Sequence, residues 1–266
     1  MKKVLITGGS SGVGYALSKH FAKDGYHLIW VSKSNEELIN ASLKLKEEFP
    51  DLTIDFLAKD LTADGAVKEI YDWVIEKFDF IDVLVNNAGF GAYGFFTETS
   101  LEKEMTMIQL NVTTVYLLTK LFLGKMVERN EGKILNISSG VSFNPVPKMS
   151  VYAGTKAFVR QMSESIYYEL KQKGSNVTIT AVCPAAIKNT DFQKEADMKN
   201  VSTFEGFFAT TADEVAKDAY LGMMEGKRLV LTGSKYRAGV ALNKITPSFI
   251  TQFAIEQEMK RKVKEK

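Results

Sequence analysis

The feature that most constrains this chain is a regular exchange of two periodicities. Short β-branched runs alternate with stretches of helical spacing from the first residues onward. Val4-Leu5-Ile6 stops at Thr7-Gly8-Gly9, and Gly12–Lys23 then puts Val13, Ala16, Leu17 and Phe21 on one face. The pattern repeats: strand His27–Val31 and helix Asn35–Glu48, strand Thr53–Ala58 and helix Ala63–Lys77, strand Asp82–Val85 and helix Leu101–Glu128. Strand Lys133–Ser138, helix Val151–Lys173, strand Val177–Val182, helix Ala212–Glu225 and strand Arg228–Leu231 complete it. Strands separated by helices of this length require a parallel sheet covered on both faces, and right-handed crossovers leave a doubly wound topology. The expectation is one α/β domain over residues 1–266, a Rossmann-type sheet of about seven strands with helices on both faces. Two stretches fall outside the alternation: 185–211, a substrate lid or a surface insertion, and the tail 235–266, expected to be helical.

Composition excludes several classes of function. A net charge of +2 gives no clustered basic face for nucleic acid. The single cysteine, Cys183, rules out an internal disulfide and suits a reducing, cytoplasmic setting. The opening Met1-Lys2-Lys3 runs into too few apolar residues for a signal peptide. No apolar run approaches the roughly eighteen residues that cross a bilayer, so no transmembrane segment is expected. With only His20 and His27, no metal site is expected either.

The turn Thr7-Gly8-Gly9-Ser10-Ser11-Gly12-Val13-Gly14 lies between the first strand and the first helix. Backbone N–H groups and the helix dipole at such a place can receive a pyrophosphate, and glycine permits positive φ and close approach. The spacing is Gly-x-x-x-Gly-x-Gly rather than the general dinucleotide fingerprint. Tyr152 and Lys156, four apart on a predicted helix, share a face one turn apart. A free phenol has a pKa of about 10, and a neighbouring cation pulls it toward the working range.

Three motifs in order, Thr7–Gly14, Asn86-Asn87-Ala88-Gly89 and Tyr152-x-x-x-Lys156, resemble the classical short-chain dehydrogenases/reductases over residues 3 to about 232. The resemblance implies hydride transfer between NADP(H) or NAD(H) and a carbonyl or secondary alcohol, with Tyr152 as acid/base and Lys156 on the nicotinamide ribose. It makes Ser139, thirteen positions before Tyr152, the residue that holds the substrate oxygen, in preference to the adjacent Ser138. Asn111 matches the asparagine that holds a water linking the lysine to solvent. Cofactor contacts are implied for Thr7, Gly8, Ser10, Ser11, Gly12, Val13, Gly14, Asp60, Leu61, Asn87, Ala88 and Gly89. After the sixth strand they are implied for Pro184, Ala185, Ile187 and Thr190, with alanine in place of the usual glycine and Asn189 as an alternative to Thr190. Relatives imply a homodimer or homotetramer.

At the end of the second strand no carboxylate appears before Glu36, so Ser32 and Lys33 favour NADP(H) over NAD(H). Phe90-Gly91-Ala92-Tyr93-Gly94-Phe95-Phe96, with Val141, Phe143, Val146 and Met149, either lines an apolar substrate cleft or forms local core. In the tail, Leu242, Ile245, Phe249, Ile250 and Phe253 precede Lys260-Arg261-Lys262. They suit a helix docked on its own domain, with a partner subunit or a membrane surface as alternatives. A catalytically silent NADP(H)-binding sensor or interaction protein is the rival reading, and it would be expected to lose Tyr152, Lys156 or Ser139; a lyase, epimerase or isomerase would need a larger substrate domain.

Overall fold

Seven parallel strands lie in the order β3-β2-β1-β4-β5-β6-β7 in a computed structural model of the chain. Residues 1–188, 191–198, 201–204, 206, 208–243 and 246–259 are described. The strands are β1 Lys3–Thr7, β2 His27–Ser32, β3 Ile54–Ala58, β4 Val83–Asn86, β5 Lys133–Ile137, β6 Thr178–Cys183 and β7 Leu229–Leu231. Between them run α1 Gly12–Lys23, α2 Asn35–Glu48, α3 Ala66–Phe78, α4 Leu101–Ile108, α5 Val115–Arg129 and α6 Ser150–Gln172. Then come α7 Asp191–Glu195, α8 Ala212–Met224, α9 Ser234–Asn243 and α10 Ser248–Glu258.

The alternation in the sequence becomes two cores, one on each face of the sheet. Val4 and Ile6 of β1 point to one side, where Leu17 and Phe21 of α1, Leu38 and Leu45 of α2, and Val215 and Met223 of α8 close over them. Leu5, between them, points to the other side, against Ile70 and Val74 of α3 and Leu118 and Phe122 of α5. Strands buried on both faces read as continuous apolar runs because neither face meets water. Strand order reverses between β1, paired with β2 on one side, and β4 on the other. At such a switch point the two crossovers diverge and leave a crevice at the carboxyl ends of the strands.

Buried side-chain amides tie the middle of the sheet together. Asn86 Nδ2 donates to Thr119 Oγ1 at 3.1 Å and to Asn136 Oδ1 at 2.8 Å, and Asn136 Nδ2 donates to Ser163 Oγ at 2.9 Å. Asn136 and Ser163 are fully buried. Asn136→Ala would strand two buried polar partners, so it is expected to lower the unfolding free energy by about 1–3 kcal/mol, read by urea denaturation.

Two local expectations need correction. Helix α3 starts at Ala66 rather than Ala63, because Asp60 to Gly65 form turns, with Ala63 N–H on the Asp60 carbonyl and Gly65 at φ +74°. Leu101–Arg129 runs as one helical stretch that is, by length and composition, long and apolar enough to cross a membrane. No such segment was expected; here Met107, Leu118, Phe122 and Met126 of that stretch are buried within the domain. A π-helical turn, Gln109–Thr114, interrupts it.

Candidate active site

The glycine turn is built around close backbone approach. Gly8 and Gly12 sit at φ +66° and +52°, where glycine costs least. A Cβ on Gly14 would stand 2.1 Å from the Gly8 carbonyl oxygen, so no other residue fits without moving the turn. Asn87 Nδ2 donates to the carbonyls of Thr7 and Gly8 at 2.9 and 3.0 Å, and Thr7 Oγ1 accepts from the N–H groups of Asn87 and Ala88. The Asn-Asn-Ala-Gly motif thus braces the end of β4 against the turn after β1. The Ser11 hydroxyl makes no capping hydrogen bond to α1, and the first turn of the helix holds no acid. Its first intrahelical N–H is that of Tyr15, on Ser11 O at 3.0 Å. The N–H groups of Gly12, Val13 and Gly14 therefore have no intrahelical acceptor, and those of Gly12 and Val13, which face the cleft, suit an anionic diphosphate.

Helix α6 carries the titratable pair. Tyr152 and Lys156 are 7% and 5% exposed, so both are held out of water. Lys156 Nζ donates to the Ile137 carbonyl at the end of β5 at 3.0 Å and lies 5.8 Å from the Tyr152 ring centre. Burial pushes the phenol up to about 12, partly offset by a hydrogen bond from Ser139. Burial pushes the Lys156 ammonium down to about 8, against a smaller pull upward from Cys183. The anticipated lowering of the phenol by Lys156 does not enter here: loss of water sets the direction, and the ammonium is drawn to the Ile137 carbonyl. Ser139 starts a 3₁₀ turn, Gly140–Phe143, and its Oγ accepts from Val141 N–H at 3.3 Å. Ser138 borders the same cleft, but its hydroxyl is engaged, donating to the Lys156 carbonyl at 2.7 Å.

Asn111 lies in the π-helical turn and is fully buried. Its carboxamide pins the main chain of Phe90, donating to the carbonyl at 2.9 Å and accepting from the N–H at 3.2 Å, and reaches Thr155 Oγ1 at 3.2 Å. A Cβ on Gly89 would meet Asn111 Oδ1 at 2.8 Å and Lys156 Nζ at 3.2 Å, so this glycine lets the strand end pass between them.

At the far end of the crevice, Ser10 Oγ donates to Ser32 Oγ at 3.3 Å, and Lys33 Nζ pairs with Asp60 at 2.7 Å. Lys33, and a hydroxyl and an N–H from Thr62, hold the Asp60 carboxyl down at about 2. Ser34 caps α2 by accepting from Glu37 N–H.

Above Tyr152, Phe192 of α7 packs on the phenol ring with centres 5.3 Å apart, and Lys103 Nζ donates to the Glu195 carbonyl at 2.6 Å. The two ends of the segment between β6 and α8 are stitched by Lys188 N–H to Thr210 O and Thr210 N–H to Ala186 O, both 2.9 Å. Arg160, one turn beyond Lys156, donates to the Ser142 carbonyl and stacks over Phe143, fixing the turn that begins with Ser139. Together these walls enclose a cleft of about 1400 Å³.

A family model described as short chain dehydrogenase matches residues 2–200. The chain belongs to the short-chain dehydrogenase family. It is 34% identical to the very-long-chain 3-oxoacyl-CoA reductase of Mus musculus over 75% of this chain and 65% of that protein. It is 32% identical to the NADP-dependent 3-hydroxy acid dehydrogenase YdfG of Escherichia coli over 80% of this chain and 86% of that protein. A short-chain dehydrogenase from Sphingobium yanoikuyae in complex with NADPH superposes with a TM-score of 0.78 at 28% identity, covering 92% of this chain and 94% of the other. The first curated relatives are longer: the chain spans 64% to 66% of their length.

In this short-chain dehydrogenase, Gly8, Ser10, Ser11, Gly12, Val13, Ser32, Lys33, Asp60, Leu61, Asn87, Ala88, Gly89, Pro184, Ala185 and Ile187 all face the one cleft that Ser139, Tyr152 and Lys156 share. Thr7, Gly14 and Asn111 do not face it and support its walls from behind. Asn189 and Thr190 lie outside the described residues, as do Ile245 and Lys260-Arg261-Lys262; nothing is described of the side chains of Leu242 and Phe249. Phe90, Val141, Val146 and Met149 line the cleft, whereas Phe143 packs under Arg160, and Phe95 and Phe96 are exposed. Sequence reasoning missed Arg160, Phe192 and Tyr236. Arg160 continues the four-residue spacing of Tyr152 and Lys156 and could have been found; the other two lie beyond the alternating pattern.

Proposed function

We propose that this oxidoreductase reduces an apolar ketone, or oxidises the matching secondary alcohol, with NADP(H). The observation that carries the reading is a buried phenol and a buried ammonium on one helix face, lining with Ser139 the same glycine-turn cleft. The turn holds the diphosphate through its N–H groups, and Lys156 and the Asn87–Gly89 strand end hold the nucleoside nearest the reacting atoms. When bound, the nicotinamide supplies or accepts the hydride. Ser139 donates to the substrate oxygen and sets it against Tyr152 Oη. In reduction Tyr152 gives its proton to the oxygen as the carbonyl becomes an alcohol; in oxidation it takes that proton back. Lys156, with an ammonium already lowered to about 8, returns a proton to the phenol, drawing on a water at Asn111.

Preference for NADP(H) is supported by Ser10, Ser32 and Lys33 at the ribose end, with no carboxylate at the end of β2. A second phosphate would find hydroxyls there, and an ammonium that it would share with the Asp60 carboxylate. A carbonyl panel followed at the nicotinamide absorbance, with NADPH and NADH in parallel, tests both parts. Turnover with neither nucleotide would end the reading, and NADH turning over better would end the NADP preference. The exposed Tyr116, Phe158 and Tyr168 on α5 and α6 support a homodimer or homotetramer, which light scattering would read.

Ser139→Ala is expected to lower kcat by about 10²-fold, since it removes the group that orients the substrate oxygen. Ser138→Ala instead loses a buried bond to the Lys156 carbonyl and is expected to cost about 1–2 kcal/mol of stability, read by denaturation. Equal kinetic loss from both would contradict the assignment. The pH dependence also has a sign. The phenol stays protonated in the free site, so reduction needs no deprotonation and holds its rate through neutrality. Oxidation needs the phenolate, so below the operative pKa its rate rises by roughly tenfold per pH unit.

A further inference from the structure

We propose that Arg160 is a positioning residue for the reaction: held by Glu164, and through it by Arg228, it sets the Ser139 hydroxyl from behind the cleft. The inference rests on the hydride-transfer reading above and adds a residue that does not itself line the cleft. Ser139 stands after β5 has ended and before α6 begins, so its hydroxyl is only as well placed as the 3₁₀ turn Gly140–Phe143. Ser139, Gly140 and Val141 face the cleft, whereas Ser142 and Phe143 do not line it. The start of the turn is bonded to the sheet and to itself. Gly140 N–H donates to the Pro184 carbonyl at 2.7 Å, and Ser142 N–H to the Ser139 carbonyl at 3.1 Å. A helical turn leaves its last carbonyls without N–H partners of its own, and a cation is favoured there. The Ser142 carbonyl receives Arg160 Nη2 at 3.3 Å, and the guanidinium carbon lies 4.5 Å from the Phe143 ring centre.

The other edge of the guanidinium is fixed as well. Arg160 Nη1 donates to Glu164 Oε1 at 2.9 Å, one turn along α6, and Glu164 Oε2 receives Arg228 Nη1 at 2.7 Å. Side-chain exposure falls from 37% at Arg228 to 16% at Arg160 and 11% at Glu164, so the carboxylate is the inner charge of the three. A carboxylate taken out of water between two guanidinium groups holds both, since losing either leaves buried charge uncompensated. Arg228 is anchored in turn, its carbonyl accepting from Ala181 N–H of β6 at 3.0 Å. The chain of charges thus runs from the β6–β7 edge, along α6, to the turn that carries Ser139. Bridging α6 to the sheet would need only Glu164 and Arg228. The Arg160 arm goes further and ends on the turn. A lysine at 160 would bring the charge without the planar fork that serves Glu164 and the Ser142 carbonyl together while stacked on Phe143. A turn displaced by a fraction of an ångström moves the Ser139 hydroxyl off the line to Tyr152, which costs rate rather than nucleotide binding.

The test uses the full chain with NADPH and a ketone from the carbonyl panel at saturation. Arg160→Met keeps an unbranched side chain and removes the fork. It is expected to lower kcat at least about tenfold, with NADPH affinity by calorimetry within about threefold of the parent. In the Ser139→Ala background the same substitution is expected to change kcat by less than about twofold, because its effect passes through the Ser139 hydroxyl. Amide hydrogen exchange reads the turn without turnover: residues 140–143 are expected to exchange at least about tenfold faster in Arg160→Met, with β5 unchanged. Glu164→Gln keeps the shape of the carboxylate and removes its charge; it is expected to give the same three results and serves if Arg160→Met fails to fold. A parent-like kcat, an equal loss in both backgrounds, or unchanged exchange in the turn would overturn the assignment and leave hydride transfer standing. Faster exchange confined to the turn, in a protein that turns over no ketone, would support the clamp and overturn the hydride-transfer reading alone.

Discussion

Tyr152→Phe is expected to lower kcat by about 10²–10⁴-fold while nucleotide affinity stays within about threefold. The substitution deletes one oxygen and leaves the ring packed on Phe192, so the cleft keeps its shape. What disappears is the only hydroxyl placed by α6 to meet a substrate oxygen already held by Ser139. In a site this dry, water is a poor replacement: both Tyr152 and Lys156 are nearly sealed from solvent. The effect should fall on kcat and kcat/KM together, as for an interaction made in the transition state rather than in binding. Single-turnover absorbance of NADPH, beside calorimetric binding of the nucleotide, measures the two halves separately. Full turnover in the variant would remove the phenol from the mechanism.

Gly14→Ala is the structural counterpart, expected to abolish measurable nucleotide stabilisation. Its Cβ would lie 2.1 Å from the Gly8 oxygen, 2.6 Å from Asn87 Nδ2 and 2.9 Å from the Gly8 carbonyl carbon. Two of those atoms are backbone of the turn itself, so relief requires moving the N–H groups that receive the diphosphate. The cost in stability is about 1–3 kcal/mol for overpacking, with nucleotide affinity lower by more than about tenfold. Thermal melts with and without NADPH read both: the parent rises with ligand by mass action, and the variant melts lower and does not rise. Gly154→Ala supplies the contrast. Gly154 lies within α6 with nothing within 4 Å of its would-be Cβ, so alanine there is expected to stabilise by about 0.5–1 kcal/mol.

Where physics acts over short sequence distances, the chain could be read directly. Continuous β-branched runs separated by amphipathic stretches have one economical packing, and the seven-stranded sheet follows it. The Tyr152–Lys156 spacing puts two side chains on one helix face whatever surrounds them. Long-range contacts were not legible. Lys33 and Asp60 meet because β2 and β3 are neighbours, a fact about register rather than spacing. Thr7 and Gly14 sit in a motif that suggests ligand contact, yet their backs are turned to the cleft because that is where the turn needs bracing. The π-helical turn holding Asn111 differs from an α-helix by one residue in its period, too little to show in a pattern of apolar positions. The apolar residues of the tail suit a docked helix, but the approach of α9 to the cleft depends on Gly140 and Gly239 being bare, which no spacing in the tail announces.

The phenol itself can be watched. An ultraviolet difference titration of wild type minus Tyr152→Phe isolates the ionisation of this one tyrosine, with and without oxidised NADP. In the free protein the account predicts silence up to about pH 10, since burial holds the phenol near 12. In the nucleotide complex it predicts ionisation at least about two units lower, as positive charge gathers around the ring. The same curve in both states would contradict it.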